Sequence, residues 1–305
     1  MRYRISHTTK YAYDDPVAVC HNLVRLAPLA DAWQSLDGYR LIVVPEPVDP
    51  RVRVDLFGNR VDYFSIQEAH WGLSVSATSE IEVSAKPRPG ASPAWERVRD
   101  ALRASETAPT RAAYRFAFPS TLTPIDQRLA DYAAESFTAG RPIVDAARDL
   151  TARIYEDFEY DPRATTVATP VMEAFDQRAG VCQDFAHVQI ACLRSIGLAA
   201  RYVSGYLRTI PPPGEERLVG ADASHAWLSV YCGTGEDPRP TDWLDLDPTN
   251  DTVPSTDHVR IAHGRDYRDV CPIQGVFVGG GRHTMSVSVD VAPVNETPVN
   301  GAADA

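Results

Sequence analysis

The sequence predicts an α+β protein, in which an antiparallel β module precedes a layer of helices and a second group of strands. Two observations carry this. Residues 1–83 hold β-branched runs broken by turn residues, whereas the chain from Trp95 onward changes to helical periodicity before returning to short strands. Helices gathered before strands, rather than alternating with them, point to an α+β domain.

Within the first module, "YRLIVVPEP" and "LSVSATSEIEV" have the β-branched density of strands. "RVRVDLFGNRVDYFSI" alternates on both sides of Gly58-Asn59, which reads as a hairpin turn. The stretch "SAKPRPGASP" (Ser84 to Pro93) concentrates Pro, Gly, Ser and Ala, the composition of a connector. The boundary falls there, giving a β domain over 1–83, a linker over 84–94, a catalytic-type domain over 95–292 and a frayed tail over 293–305. Helices are expected over Trp95 to Ser105, Asp126 to Phe137 and Val144 to Phe158, the last with Leu150, Ile154 and Phe158 on one face. A further helix starts near Cys182. Strands are then expected at Arg201 to Leu207, His225 to Tyr231 and Trp243 to Asp247, separated by loops such as "TIPPPGEE", and the chain finishes with "HTMSVSVDV".

Composition narrows the classes of function. The chain has 305 residues, 44% hydrophobic and 23% charged, which describes a globular protein able to bury a sizeable core. A formal net charge of −11 disfavours nucleic acid or an anionic membrane as partner, since both need a concentrated basic face. The start, "MRYRISHTTKYAYDD", lacks the apolar region of a secretory signal, and no apolar run is long enough to span a bilayer, so the expected address is the cytoplasm. Five cysteines at irregular spacing fit neither a secreted disulfide framework nor a paired zinc site, and leave at least one thiol free.

The stretch "QRAGVCQDFAHVQIACLRSIGLAARYV" places Cys182 where a glycine-bearing loop turns into an apolar helix. A thiol is a good nucleophile only as thiolate, and a helix N-terminus stabilises that anion through its unpaired N–H groups and dipole. Gly180 allows the close turn. On a helical wheel Phe185, Val188, Cys192 and Ile196 share one face, and Gln183, His187 and Arg194 the opposite one. His187 lies five residues from Cys182, roughly 140° around the helix, which is out of reach for a base, so it is read as structural.

The base is sought elsewhere, because Cys-His pairs meet in space rather than in sequence. His225, in "ADASHAWLSVYCG", opens a strand on which His225, Trp227 and Tyr231 share a face. A third group should orient the imidazole, and "TDWLDLDPTN" offers Asp242, Asp245 and Asp247. Asp245 and Asp247 point to the same side of their strand. Asp247 is preferred for its place at the strand end before Pro248, with Asp245 and Asp242 as alternatives.

Blander readings apply to most other candidates. Cys20, Cys192, Cys232 and Cys271 are read as small buried hydrophobes. Asp184 serves the free N–H groups of the first helical turn. Trp227 is equally consistent with core and with cleft lining. "VGGGRH" is a turn between strands, since no G-K-S/T follows it. His258, His263 and His283 show no metal-ligand spacing, so neither metal nor cofactor is expected.

In that order, "GVCQDFAH", "SHAW" and "WLDLDPTN" resemble the transglutaminase-like superfamily, specifically its bacterial members described as cysteine proteases. The likeness extends over the N-terminal strand module and over "HGRDYRDVCPIQGVFVGGGRHTMSVSVDV", nearly the whole chain. The resemblance implies a papain-like, transglutaminase-like core behind an antiparallel, sandwich-like β domain, with Cys182 as nucleophile, His225 as base and Asp247 as orienter. It implies attack on a peptide or carboxamide carbonyl through a thioester, resolved by water in an amidohydrolase or protease, or by an amine in a transglutaminase. The expected partner is therefore a peptide or protein amide. A non-catalytic peptide-binding module on the same fold is the third reading. The calcium dependence of animal transglutaminases is not carried over, because no pattern of oxygen ligands is present.

Overall fold

Strand β1 (Arg2–Val24) alternates buried and exposed side chains over most of its length, and the fold is built along it. The computed structural model describes residues 1–87, 91–209, 223–236, 239 and 242–294. Strands β2 (Gln34–Val44), β3 (Val48–Val54), β4 (Arg60–Ile66) and β5 (His70–Val83) follow, in the order β2-β5-β1-β4-β3. The near half of β1 pairs with β5 and its far half with β4. Phe64 and Ile66 of β4 bury against the same cluster as Leu73, Val75 and Ala77 of β5, so the two halves share a core.

Four helices come next: α1 (Trp95–Ala104), α2 (Ala108–Tyr114), α3 (Gln127–Ala134) and α4 (Ile143–Asp157). The two-residue β6 (Glu159–Tyr160), α5 (Val171–Gln177) and the two-residue β7 (Ala179–Gly180) lead into α6 (Cys182–Ser195). Helix α6 packs on a four-stranded sheet of order β10-β9-β8-β11, formed by β8 (Ala200–Leu207), β9 (Ala223–Tyr231), β10 (Trp243–Leu246) and β11 (His258–Gly264). After α7 (Tyr267–Val270), β12 (Ile273–Gly279) and β13 (His283–Pro293) return to the first sheet and pair with β1 along nearly its full length.

That return changes the division expected from the sequence. Residues 273–292 fall within the segment 95–292 expected to form the second domain, yet their ladder hydrogen bonds run to β1. Periodicity identifies a strand but not its partner. Nor does the connector behave as a free linker at Lys86, whose ammonium donates to the Trp243 carbonyl and lies 3.7 Å from the Asp245 carboxylate. "TIPPPGEE" extends beyond the described residues after Thr209, as does the tail after Val294. The helices α2 and α5, unanticipated from the sequence, are seven residues each, too short for a periodic signature.

Two side-chain amides join the first sheet to the second. Gln34 donates to the Arg260 carbonyl at 2.8 Å and accepts from the Arg260 N–H at 2.9 Å, and Asn59 makes the same pair of bonds with His263, both at 2.9 Å. They satisfy backbone groups along β11, the edge strand of its sheet, which would otherwise be left unpaired inside the protein. Tyr3, Ile5, Val289 and Val291 from the first sheet bury with Tyr206, Val259 and Ile261 from the second. Asn59 is thus more than a turn residue.

Helix α6 is buried, as its apolar content leads one to expect, and the burial extends to its polar side: Gln183, His187 and Arg194 are enclosed along with Phe185 and Val188. These three side chains have protein partners instead of solvent, Gln183 donating to the Val167 carbonyl at 3.4 Å. Arg194, 1% exposed, donates to the carbonyls of Phe116, Ala200 and Arg265, each at 2.8 Å, and to the hydroxyls of Ser120 and Thr123. His187 accepts the Tyr267 N–H at 3.2 Å, a bond that needs a neutral ring nitrogen, and burial holds its pKa down at about 4. This supports the structural reading of His187. Replacing Arg194 with Met should cost about 3 kcal/mol or more, because three buried carbonyls lose their donor; urea unfolding followed by circular dichroism measures it.

Candidate active site

Val181 precedes α6 in extended conformation, and Cys182 is the first helical residue. The turn is held by Asp184, whose carboxylate reaches back to accept the Val181 N–H at 2.9 Å and the Thr165 hydroxyl at 2.6 Å. That carboxylate explains Gly180. A Cβ at this position would stand 2.6 Å from Asp184 Oδ2, so the glycine makes room for the acid and is not required by an unusual φ. Among the described residues no acceptor meets the Cys182 N–H, which leaves a donor open beside the thiol.

Strand β9 starts two residues earlier than expected, at Ala223, and carries His225 as its third residue. His225 Nε2 donates to Asp247 Oδ2 at 2.7 Å, and the ring lies near enough to Cys182 for the thiol to act on its charge. With Nε2 taken by the carboxylate, Nδ1 is the nitrogen left for the thiol. Strand β10 ends at Leu246, so Asp247 stands just past it, bridged to Thr252 and fully buried. Its carboxylate also accepts from Asn250 Nδ2 at 2.7 Å, from the Thr249 N–H at 3.0 Å and from His258 Nε2 at 3.1 Å. The alternatives are engaged elsewhere: Asp245 accepts from Ser229, and Asp242 from the Arg239 N–H. Trp227 is wholly buried with its ring edge against His258, which makes it core rather than cleft lining.

The charges follow from these contacts. Burial opposes a charged imidazole, but its hydrogen bond to Asp247 and the nearness of Cys182 outweigh it and push the His225 pKa up to about 10. Burial likewise opposes the Asp247 carboxylate, yet the donors His225, His258 and Asn250 hold it far below the usual carboxyl range.

Neither Asn250 nor His258 was singled out as a partner of Asp247. Asn250 had a local signal, since the Asp247 carboxylate in "DPTN" closes an Asx-type turn on the Thr249 N–H, which keeps Asn250 beside it. His258 had none, because it arrives from β11. It also revises the view that the histidines lack metal-ligand placement: His225, Asp247 and His258 bring ligand atoms within 4.8 Å of one another. Both rings already donate protons to Asp247 Oδ2, so a cation would have to displace those hydrogen bonds.

Cys182 and His225 open onto a cleft of about 270 Å³. One side is formed by Tyr202, Ser204, Ser224 and Ala226 of the second sheet, the other by His7, Thr9 and Tyr11 of β1 with Met285 and Val287 of β13. Both sheets therefore face the thiol.

Comparison with known proteins identifies the assembly. Residues 3–82 match the bacterial transglutaminase-like N-terminal region, and residues 130–248 match the transglutaminase-like superfamily. The chain belongs to the transglutaminase-like superfamily. An uncharacterized protein of Mycobacterium tuberculosis, Rv2569c, is 42% identical over 299 residues, covering 96% of this chain and 93% of the relative. A second relative, ML0607 of Mycobacterium leprae, is 29% identical and covers 95% and 98%. The fold is also that of a crystal structure from Cytophaga hutchinsonii, provisionally named a cysteine protease, with a TM-score of 0.71, 23% identity and coverage of 98% and 93%. This transglutaminase-like chain has no helix, among the described residues, that is long and apolar enough to cross a membrane.

The stability of the transglutaminase-like core should follow His225. Its pKa is raised from 6.5 to about 10 on folding, so its contribution is complete below about pH 6.5 and is lost as pH rises through about 10. The Tm advantage of the wild type over His225→Gln should therefore be largest near pH 6 and shrink steadily towards pH 10.5, as read by differential scanning fluorimetry. A separate expectation concerns Asp247→Ala, which leaves the donors on His225, His258 and Asn250 without their acceptor. It should lower stability by about 3 kcal/mol in urea unfolding.

Proposed function

We propose that the protein is a cysteine-dependent amidohydrolase or protease in which Cys182 is the nucleophile, His225 the acid and base, and Asp247 the group that orients His225. The observation that carries this reading is the position of His225, hydrogen-bonded through Nε2 to the buried Asp247 and lining one cleft with Cys182 at the start of α6. A buried carboxylate fixes the ring and favours its protonated form, the complement of a thiolate. The provisional name of the Cytophaga protein agrees with this chemistry.

The steps follow from those groups. Cys182 Sγ adds to the amide carbonyl carbon, and the π pair moves onto oxygen, where the open Cys182 N–H can donate to it. Collapse breaks the C–N bond while His225 passes its proton to the leaving nitrogen, giving a thioester and a free amine. Water then adds as His225 takes its proton, and cleavage of the C–S bond releases the acid and restores the thiolate and imidazolium. Hydrolysis is the resolving step we favour over transfer to an amine. A cytoplasmic address is favoured by five cysteines that are all free.

Alkylation of Cys182 by iodoacetamide at pH 6, followed by mass spectrometry, tests the pair. The rate should fall at least tenfold in His225→Ala, and equal rates would remove the basis for the assignment. Incubating a glutamine-containing peptide mixture in ¹⁸O-water with and without a primary amine separates the outcomes, since hydrolysis incorporates ¹⁸O into the product acid and transfer gives the amine conjugate.

A further inference from the structure

The side chains around the cleft share a property that the catalytic groups do not require. Among the described residues that line it there is no Asp, Glu, Lys or Arg. The two histidines present offer no free charge to a ligand. His225 is paired with the Asp247 carboxylate through Nε2. His7 has Nδ1 at 2.8 Å from the Tyr206 hydroxyl and Nε2 at 3.0 Å from Thr9 Oγ1, and burial holds its pKa down at about 4, so it is neutral at ordinary pH.

The wall facing the thiol is carbon-rich and comes from outside the catalytic core. Tyr11 on β1 and Met285 on β13 are register partners, and Val287 follows two residues on, so it presents to the same face of the sheet. Met285 and Val287 are 59% and 48% exposed, which places them at the rim where an incoming group first makes contact. A carboxylate or ammonium entering such a cleft gives up hydration without gaining a counter-charge, whereas an apolar group gains by leaving water.

We propose that the cleft selects amides whose acyl portion is uncharged and apolar, and that Tyr11, Met285 and Val287 are the residues that impose this choice. The N-terminal sheet, completed by β13, then serves as the specificity wall of the enzyme. The inference rests on the reading of Cys182 as the reactive thiol at the base of the cleft, but its test reads access to that thiol rather than turnover.

The probes are two chloromethyl ketones, one made from 3-phenylpropanoic acid and one from its ring 4-carboxy derivative. Each places its acyl side where a substrate's would lie. Cys182 Sγ attacks the CH₂ carbon, a C–S bond forms, the C–Cl bond breaks and chloride leaves. The second-order rate at Cys182 is measured by mass spectrometry on the full-length protein and divided by the rate of the same probe with glutathione, so intrinsic reactivity cancels. The neutral probe should be favoured at least tenfold, and Met285→Lys or Val287→Lys, both changes at exposed positions, should reduce that preference by accelerating the carboxylate probe. Equal corrected rates, or failure of both probes where iodoacetamide labels Cys182, would overturn the proposal. A preference left unchanged in both lysine variants would overturn the assignment to this wall. Because the readout is a ratio, it stands whether or not His225→Ala slows iodoacetamide, so the two readings fail separately.

Discussion

A carboxylate with no exposure to water has to find donors inside the protein, and Asp247 finds four of them. They come from β9, from the turn after β10 and from β11, so satisfying one charge fixes the mutual placement of three neighbouring segments. His225 is the donor that also lines the cleft with Cys182. Its ring is pinned on the Asp247 side through Nε2, which leaves its other nitrogen free of that carboxylate.

The thiol end is placed by a parallel device. Asp184 folds back to cap the first turn of α6, Gly180 leaves space for it, and Arg194 anchors the far end of the same helix to three separate stretches of chain. The helix can be polar on one side and yet buried all round because Gln183, His187 and Arg194 each meet a backbone or side-chain partner. Rigidity at both ends of α6 is what allows a residue at its first position to keep a set relation to a histidine on a different element.

Beyond the candidate site, the long first strand gives the molecule its form. By pairing with β5 and β4 on one side and with β13 and β12 on the other, β1 makes the C-terminal strands part of the first sheet. The amides of Gln34 and Asn59 then clamp this sheet to the edge of the second. The cleft is the space left between them, so its far wall belongs to strands near both ends of the chain.

What the sequence by itself determined was local: the strand alternation of the first module, the long helices α1 and α4, the thiol at a helix start, and the ordered motifs around Cys182, His225 and Asp247. These are legible because helix and strand periods, caps and turns are set by residues a few positions apart. Only the tertiary structure decided that β12 and β13 belong with β1, that Gln183, His187 and Arg194 are buried, that His258 joins Asp247, and that Asp247 rather than Asp245 meets His225. Each of these depends on which distant segment supplies a partner for a backbone edge or a buried polar group, and that choice is made by the whole fold, not by the neighbouring residues.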